Sequence, residues 1–455
     1  MTWRDPEAAF LPLATDDYAA LLRPGKASKE GEWAIIVANP DARYEVRDGF
    51  LFKDGTRVPD DPFSVLKSAA KARADTYQGF AFDGLPSTPP FVGGLVGYVG
   101  YESARYVEPS ITIPPSPYRL PDLSLGEYSV CALFHLPSRR CFAVGPDESS
   151  ITTLTEMLGS SPVSLREQEL SFVQHDMGEE EYTAKVACIQ EHILDGDFYQ
   201  ANLARTLSFS LDHGTPFDLF TSVCTSSAAR FCGFLKYPEG TIVSASPERF
   251  FAVDRADRGR RIIVDPIKGT RPRHPDPEID RRLAHDLRND PKERAENIMI
   301  ADLLRNDLSR CCVDESIAED FICRVITYAT VHHLVSRISG VLKEQVGPVD
   351  VLRHLFPCGS ITGAPKIAAM DAIARAEGRG RGPYCGAIGM ISDCGAAHFS
   401  VAIRTAVCDE QDRRVSVPVG SGITLKSNPI TEFKETVAKA KWLTNAGGVS
   451  VRGLN

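Results

Sequence analysis

The sequence predicts an α+β fold, because its strand-like segments come in runs with helices set between the runs. Within residues 230–253, three strand-like runs follow one another and are separated only by short turns. A regular alternation of single strands and single helices, which is typical of a parallel sheet, is not visible. No internal repeat or low-complexity tract points to a solenoid or a fibrous protein.

Composition places the chain among ordinary globular proteins. It has 455 residues, of which 43% are hydrophobic and 24% charged, enough to build a large core. The net charge of −9 argues against a nucleic-acid binder and provides no basic patch for a membrane surface. We find neither a signal-peptide pattern nor an apolar run of the ~18 residues that a membrane helix needs. The 12 cysteines include no Cys-x-x-Cys pair, so we expect reduced thiols in a cytoplasmic protein.

Residues 1–170 are predicted to form an N-terminal region of short strands. Four glycines lie among apolar residues in Gly93–Tyr101, which indicates close backbone packing rather than a phosphate-binding loop. A turn at Gly159–Pro162 and a stretch without periodicity up to Asp176 mark the boundary, so residues 171–455 are expected to form the second domain. The strand-like runs of the first region are Trp33–Val37, Ser129–Phe134 and Cys141–Val144.

The second region opens with a helix. Apolar residues recur at helical spacing from Tyr182 to Ile193, and Gly196 ends the pattern. A strand is predicted at Gln200–Ser210. Further strand runs are Arg230–Lys236, Thr241–Ser244, Phe250–Val253 and Val415–Val419.

Lys268 is the first candidate for chemistry. It follows the apolar run Ile262–Val264 and lies between Pro266 and Gly269, which predicts a tight turn at a strand end. A lysine held against apolar walls has a lowered pKa and is a usable nucleophile. A solvated turn lysine explains the same residues, and this segment alone does not separate the two interpretations.

Two further helices carry paired carboxylates. The first begins near Asp290, with Pro291 in its first turn, and places Glu293 and Glu296 on one face. Glu293 also suits a helix cap, so a structural role is open.

The second helix begins near Asn428 and carries Glu432 and Glu435, with Lys439 one turn further on. Either pair alone is typical of a solvated helix face. If the two pairs face each other across a cleft, their oxygens suit Mg²⁺.

Four other positions could act in a site near these residues. Glu248 lies between two strand runs and could serve as a general acid if it is buried. Arg404, on the strand predicted through Phe399–Thr405, could clamp a carboxylate, while Gly420–Gly422 permits close backbone approach to a ligand. His333 is a lone histidine. Each of these also has a structural explanation in a salt bridge, a turn or a core hydrogen bond.

Ordered motifs from about Asp176 to the end resemble the chorismate-binding enzymes. This family includes anthranilate synthase component I, aminodeoxychorismate synthase component I, and the isochorismate and salicylate synthases. The Gly93–Tyr101 stretch is similar to their N-terminal region, so the resemblance covers the whole chain. The matching motifs are Asp197–Leu203, Ser246–Phe250, Pro266–Arg273, Ala295–Asn297, Asp302–Leu308, Gly359–Lys366, Tyr384–Gly386, Ile403–Thr405 and Glu435–Lys439.

The resemblance implies a fold and a site. The fold is two packed antiparallel β-sheets surrounded by helices, and the ligands are chorismate and Mg²⁺. Glu296 and Glu435 would bind the metal directly, while Glu293 and Glu432 would act through water. Glu248 would protonate the departing 4-hydroxyl group. Thr270 and His333 would lie near the substrate ring, and its carboxylates would be held by Arg404, Tyr384, Lys439, Gly420, Ser421 and Gly422.

Lys268 separates the branches of this family. Aminodeoxychorismate synthases carry lysine at this position, whereas anthranilate synthases carry alanine. Isochorismate and salicylate synthases use a lysine base where this chain has Gln200, and an amide cannot deprotonate water. The resemblance therefore implies the aminodeoxychorismate branch, with anthranilate synthase component I as the nearest alternative and a non-catalytic chorismate-binding subunit as a third.

The resemblance also implies a partner. Because the chain shows no recognisable glutamine amidotransferase module, ammonia would come from a separate amidotransferase subunit. Two local departures affect the expected site. Cys358 stands where the family usually has glycine or alanine, and Ala396–His398 replaces a stretch similar to Asn-Met-Asp in relatives.

Overall fold

The computed structural model describes residues 1–28, 31–77, 79, 84–159, 166–256 and 259–453. Its α-helices are α1 (Pro6–Phe10), α2 (Pro62–Thr76), α3 (Glu148–Met157), α4 (Glu179–Leu194), α5 (Pro216–Ser226), α6 (Pro277–Asn289), α7 (Pro291–Ser309), α8 (Pro348–Leu355), α9 (Lys366–Glu377) and α10 (Pro429–Thr444). Short 3₁₀ turns lie at Leu11–Leu13, Tyr101–Tyr106, Asp314–Ser316 and Gly359–Ile361.

The strands of the N-terminal third are β1 (Ala20–Arg23), β2 (Trp33–Val37), β3 (Ala42–Arg47), β4 (Phe50–Lys53), β5 (Thr56–Val58), β6 (Gly94–Val99), β7 (Leu123–Tyr128), β8 (Cys131–His135) and β9 (Arg140–Val144). They are followed by β10 (Gln168–His175), β11 (Gln200–His213), β12 (Phe231–Tyr237), β13 (Gly240–Ser246), β14 (Arg249–Ala256), β15 (Gly259–Asp265), β16 (Ile267–Pro272), β17 (Ala318–Thr327) and β18 (Val331–Val341). The last strands are β19 (Gly363–Ala364), β20 (Ala387–Ser392), β21 (Ala397–Val401), β22 (Thr405–Asp409), β23 (Arg414–Ile423) and β24 (Val449–Arg452).

These strands form two twelve-stranded sheets in the part of the chain that the structure describes. The first has the order β24-β10-β11-β23-β22-β13-β12-β1-β2-β8-β9, with β19 paired to β11. The second has the order β16-β18-β15-β14-β21-β20-β6-β7-β3-β4-β5, with β17 paired to β18. Neighbouring strands are antiparallel except for the parallel pair β10–β24. The predicted α+β class and the two-sheet architecture are confirmed.

The two sheets pack face to face through one apolar cluster. Ile35 and Leu235 of the first sheet and Tyr98 and Met390 of the second belong to it, and all four are buried. Two larger clusters fill the outer faces. One lies under α1, α3, α5 and α10 on the first sheet, and the other under α2, α7 and α8 on the second. The helices thus cover the faces that the sheets do not bury against each other.

Both sheets combine strands from before and after residue 170. The boundary between residues 170 and 171 stays a prediction. Part of the turn that suggested it, Ser160–Pro162, lies outside the described residues. Among the described helices, none combines the length and apolarity needed to cross a membrane.

The helices that carry the paired carboxylates begin where the sequence predicts. The Asp290 side chain accepts hydrogen bonds from the amides of Lys292 and Glu293 at 3.0 and 3.2 Å, which caps α7. The Asn428 side chain accepts from the amide of Thr431 at 3.0 Å and caps α10. Each cap satisfies backbone donors that the first helical turn leaves open. Capping therefore fixes where the four glutamates lie on the two helices.

Candidate active site

Lys268 lies on strand β16, so the predicted tight turn was wrong. This strand pairs with β18, and its register shifts between Ile267 and Thr270. Gly269 within the shift has φ +82, and a Cβ there would come within 3.0 Å of Glu293 Oε2. The glycine that suggested a turn therefore serves a bulge inside a strand, where positive φ re-aims the neighbouring side chain. The bulge brings the Lys268 segment against the first turn of α7.

The Lys268 amine is held inside the site. Its Nζ donates to the carbonyl oxygen of Ser360 at 3.0 Å. Burial lowers the pKa of Lys268, although the nearby carboxylates of Glu296 and Glu248 oppose the shift. The neutral, nucleophilic form of the amine is therefore more accessible than in a solvated lysine.

Glu248 lies in the link between β13 and β14. It is 4% exposed, and its Oε1 has no hydrogen-bond partner among the described residues. Burial raises the pKa of Glu248 to about 7, although the neighbouring Ser360 hydroxyl and the Lys268 amine oppose this shift. The carboxyl group can therefore carry a proton near neutral pH beside the lysine, as a general acid must.

The two pairs of glutamates face one another across a cleft. Burial raises the pKa of Glu296, and the carboxylates of Glu293 on the same helix and Glu432 on α10 add to this shift. Burial opposes the lowered pKa of Glu435 on α10, which the Lys439 amine causes, and the charge of Lys292 on α7 adds to this lowering. Since charges act strongly only over short distances, α7 and α10 present their glutamates to a common space.

Each of these glutamates already has a polar partner. Glu293 pairs with Arg271 at 3.3 Å, Glu296 lies 3.8 Å from Lys292, and Glu435 pairs with Lys439 at 2.7 Å. The fourth, Glu432, is 4% exposed and accepts a hydrogen bond from the Ser421 hydroxyl. In the described ranges, no three acidic, histidine or cysteine side chains stand close enough to hold a metal ion as they are placed.

The three residues Gly420–Gly422 lie inside strand β23. The sequence placed them after that strand, which was wrong, because β23 continues to Ile423 in register with β11. A Cβ on Gly420 would come within 3.0 Å of the Tyr384 hydroxyl, and one on Gly422 within 2.4 Å of Gln200 Nε2. The glycines thus let two polar side chains lie directly on the strand.

Lys439 reaches the same strand from α10. Its Nζ donates to the carbonyl oxygen of Gly420 at 2.8 Å while it pairs with Glu435. Tyr384, which is 5% exposed, and Lys439 therefore both converge on Gly420. An anionic group at this point would meet a hydroxyl and an amine.

Arg404 lies beyond a strand rather than on one. Strand β21 ends at Val401, and Arg404 takes a positive φ of 49 in the link to β22, so the predicted alternation through Thr405 was wrong. Backbone strain of this kind is uncommon for arginine and needs support from its surroundings. Burial lowers the pKa of Arg404, and no carboxylate of the described residues forms an ion pair with its guanidinium. A half-buried cation without a protein carboxylate suits a ligand carboxylate.

His333 is paired with Thr270, and its ring is affected by the charge of Arg404. The Thr270 hydroxyl and His333 Nδ1 are 2.9 Å apart, in the strand pairing of β16 with β18. Burial lowers the pKa of His333 to about 3, and the charge of Arg404 adds to this shift. The ring is neutral at neutral pH and can form hydrogen bonds without carrying charge.

Ser360 is a site residue that the sequence did not single out by itself. Its carbonyl oxygen accepts from Lys268, and its hydroxyl lies 3.2 Å from the Cys358 thiol. The unusual Cys358 is buried, with 3% of its surface exposed. It contacts Ser360, which in turn accepts the hydrogen bond from Lys268. The only sequence signal for this contact is that Ser360 lies within the glycine-rich segment Gly359–Lys366 and that Cys358 directly precedes it.

A cavity of about 680 Å³ lies elsewhere between the sheets. Arg230, Arg249 and His398 line it, and none of the predicted site residues does. His398 belongs to the unusual Ala396–His398 stretch and pairs with Asp254 at 3.0 Å. That departure from the family pattern therefore faces this cavity and not the Lys268 cleft.

Comparisons with known proteins identify the family of the chain. The family model described as chorismate binding enzyme matches residues 25–445. Aminodeoxychorismate synthase component 1 of Klebsiella aerogenes is 34% identical over 449 residues, covering 96% of both chains. Anthranilate synthase component 1 of Thermus thermophilus is 33% identical over 460 residues, covering 99% of this chain and 96% of the relative.

Among solved structures, anthranilate synthase component I from Streptococcus pneumoniae superposes with a TM-score of 0.79 at 27% identity. The match covers 92% of this chain and 93% of that chain. Because these matches run over nearly the whole length, the resemblance inferred from the motifs is confirmed for nearly all of the chain.

Proposed function

This chain belongs to the chorismate-binding enzyme family, and we propose that it acts there as component I of an aminodeoxychorismate synthase. The reaction would convert chorismate and ammonia to 4-amino-4-deoxychorismate. The observation that carries the proposal is Lys268, a lysine with a lowered pKa beside the buried acid Glu248. Lysine marks the aminodeoxychorismate branch at this position, whereas anthranilate synthases carry alanine.

In the proposed reaction, the neutral Lys268 amine attacks C2 of chorismate. The ring double bonds shift, and the 4-hydroxyl group leaves as water with the proton of Glu248. Ammonia then adds at C4, the double bonds shift back, and the Lys268 amine is expelled from C2. The carbonyl oxygen of Ser360 accepts a hydrogen bond from the Lys268 amine. This bond supports the attack because it orients the amine.

The substrate's carboxylates would bind the polar groups that converge around β23. Arg404 forms no ion pair with a carboxylate of the described chain, and its charge acts on neutral His333, which is paired with Thr270. Tyr384, Lys439 and the backbone of Gly420, Ser421 and Gly422 form the second group. Two anion-binding groups fit a substrate with two carboxylates, and they fix its ring between them.

The glutamates of α7 and α10 fit Mg²⁺. Burial is the larger cause of the raised pKa of Glu296 on α7, the Glu432 carboxylate on α10 adds to this shift, and a divalent cation between such carboxylates would stabilise them. Magnesium prefers oxygen donors. Glu296 and Glu435 would bind the ion directly, and Glu293 and Glu432 would act through water. When bound, the ion supplies positive charge that spreads the negative charge of the ring carboxylate. The side chains now paired with Arg271, Lys292 and Lys439 would have to turn toward it.

Magnesium dependence gives one testable prediction. A Glu296→Gln variant keeps the shape of the side chain and removes one anionic ligand, so we expect the half-saturating Mg²⁺ concentration to rise about tenfold or more. Magnesium titration of chorismate consumption measures this directly. Asp302→Asn on the same helix is the control, since Asp302 is exposed and its one ion pair among the described residues is with Arg305. Equal magnesium requirements in the two variants would contradict the assignment.

The ammonia would come from a glutamine amidotransferase subunit. The relatives' names call them component 1, which supports a two-component enzyme for this chain as well. A glutamine-dependent activity would then need the partner, whereas ammonium salts would support the reaction by this chain alone.

Anthranilate synthase component I is the second candidate, because relatives of both names match at similar identity. One assay separates the two activities. The purified chain is incubated with chorismate, Mg²⁺ and ammonium, and the products are separated chromatographically. We expect 4-amino-4-deoxychorismate, which aminodeoxychorismate lyase converts to para-aminobenzoate. Anthranilate as the main product would assign the other branch, and unchanged chorismate would indicate a non-catalytic binding subunit.

A further inference from the structure

The loop that carries Tyr384 is tied to the N-terminal region. This Tyr384 loop, residues 378–386, connects α9 to β20. The Glu102 carboxylate, in the 3₁₀ turn that follows β6, accepts hydrogen bonds from the amides of Arg381 at 2.6 Å and Gly382 at 2.9 Å through one oxygen, Oε1. The amide of Tyr101 donates to the carbonyl oxygen of Gly382 at 2.8 Å. One acidic side chain therefore clamps the loop two residues before Tyr384.

Glycines on both sides make this contact close. A Cβ on Gly380 would come within 2.2 Å of Glu102 Oε1, and one on Gly386 within 2.2 Å of the carbonyl oxygen of Val99. On the other side, a Cβ on Gly100 would approach the carbonyl oxygen of Gly382 at 3.1 Å. The glycine-rich segment that the sequence marked for close packing thus receives the Tyr384 loop.

The loop passes this constraint on to the site. The Arg381 guanidinium donates to both oxygens of Glu377, to the carbonyl oxygen of Asn202 at 2.6 Å and to that of Ile361 at 3.3 Å. Asn202 pairs with Gly422 in the sheet, and Ile361 follows the residue that accepts from Lys268. Both sides of the substrate cleft are therefore braced by one buried arginine whose own backbone amide is held by Glu102.

We propose that Glu102 is a positioning residue for the carboxylate subsite, acting through the backbone of Arg381 and Gly382 to place Tyr384 against Gly420. The inference rests on the proposed function, because its kinetic readout is chorismate turnover. Glu102 is fully buried, and its second oxygen, Oε2, has no hydrogen-bond partner among the described residues. Within the described structure, the Glu102 side chain therefore makes its polar contacts to another segment only with the Tyr384 loop.

Two substitutions separate positioning from stability. Glu102→Ala removes both hydrogen bonds, so we expect KM for chorismate to rise about tenfold while kcat changes less than about threefold. Glu102→Gln keeps a carbonyl oxygen that can accept from the two amides, and no hydrogen bond is lost at the Oε2 position because Oε2 has no partner among the described residues. We therefore expect KM to stay within about twofold of the value for the original chain. Hydrogen–deuterium exchange of residues 379–386 should speed up in Glu102→Ala and remain slow in Glu102→Gln.

The control is Glu108→Ala in the same stretch of chain, whose carboxylate accepts from Ser110 at 2.7 Å and from no residue of the Tyr384 loop. The proposal would be overturned if a folded Glu102→Ala variant kept the KM and the exchange rate of the original chain. It would also be overturned if KM rose equally in Glu102→Gln and Glu102→Ala. If Glu102→Ala does not fold, Glu102→Asp takes its place, because its shorter side chain draws the carboxylate away from the amides. An original chain that leaves chorismate unchanged would refute the proposed function, while the exchange data would still decide the role of Glu102.

Discussion

A Lys268→Met variant is expected to lose 4-amino-4-deoxychorismate formation, with a fall in kcat of about a thousandfold or more. Methionine keeps the length of the side chain and removes the amine that would attack C2. The hydrogen bond to the Ser360 carbonyl is lost as well, but this contact is a single bond on a half-buried group. Product formation from chorismate and ammonium, measured at saturating Mg²⁺, gives the size of the effect.

A second variant at this position distinguishes a nucleophile from a fixed positive charge. Lys268→Arg retains the charge near Glu296 and Glu248, yet a guanidinium stays protonated and does not attack carbon. We expect it to be as inactive as Lys268→Met, with a dissociation constant for chorismate close to that of the original chain. Formation of 4-amino-4-deoxychorismate at the original rate by either variant would exclude the covalent route.

Local signals in the sequence placed the two helices that carry the paired glutamates. The helices α7 and α10 begin at their predicted caps, because Asp290 and Asn428 act on amides only two or three residues away. The strand Trp33–Val37 was predicted with its observed bounds, because a short apolar run between turns is a local feature. Elements whose bounds are set by interactions between residues close in the chain can be predicted from the sequence.

The predictions failed where backbone geometry depends on distant segments. Gly269 has the same signature for a turn and for a bulge, and only the pairing of β16 with β18 decides between them. Arg404 leaves the strand because the link to β22 must cross to the other sheet, which no alternation of residues reveals. The contact of Lys268 with Ser360 joins positions 92 residues apart. Burial, which sets the pKa of both Lys268 and Glu248, also arises only when the sheets have packed.

The close approach of Lys268 and Glu248 has a consequence for the pH dependence of the reaction. The reaction needs a neutral amine and a protonated carboxyl group, which together hold one proton. Each group shifts the pKa of the other, so the limbs of a pH profile belong to the pair rather than to either residue. We expect a bell-shaped profile, because adding a proton charges the amine and removing one ionises the acid.

Glu248→Gln is expected to change both the rate and the shape of this profile. The amide cannot donate the proton that the 4-hydroxyl group needs to leave, so we expect kcat to fall about 10²–10⁴-fold. In the original chain, the active state holds one proton between Glu248 and Lys268, and loss of that proton produces the alkaline limb. This limb should disappear in Glu248→Gln. A single limb should remain, in which the rate rises with pH as the Lys268 amine loses its proton.

Profiles of kcat/KM against pH for the original chain, Glu248→Gln and a control test these shifts together. Glu319→Gln is a suitable control, since this side chain is exposed on β17 and should leave both limbs in place. An alkaline limb that persists in Glu248→Gln would assign the acid to another group.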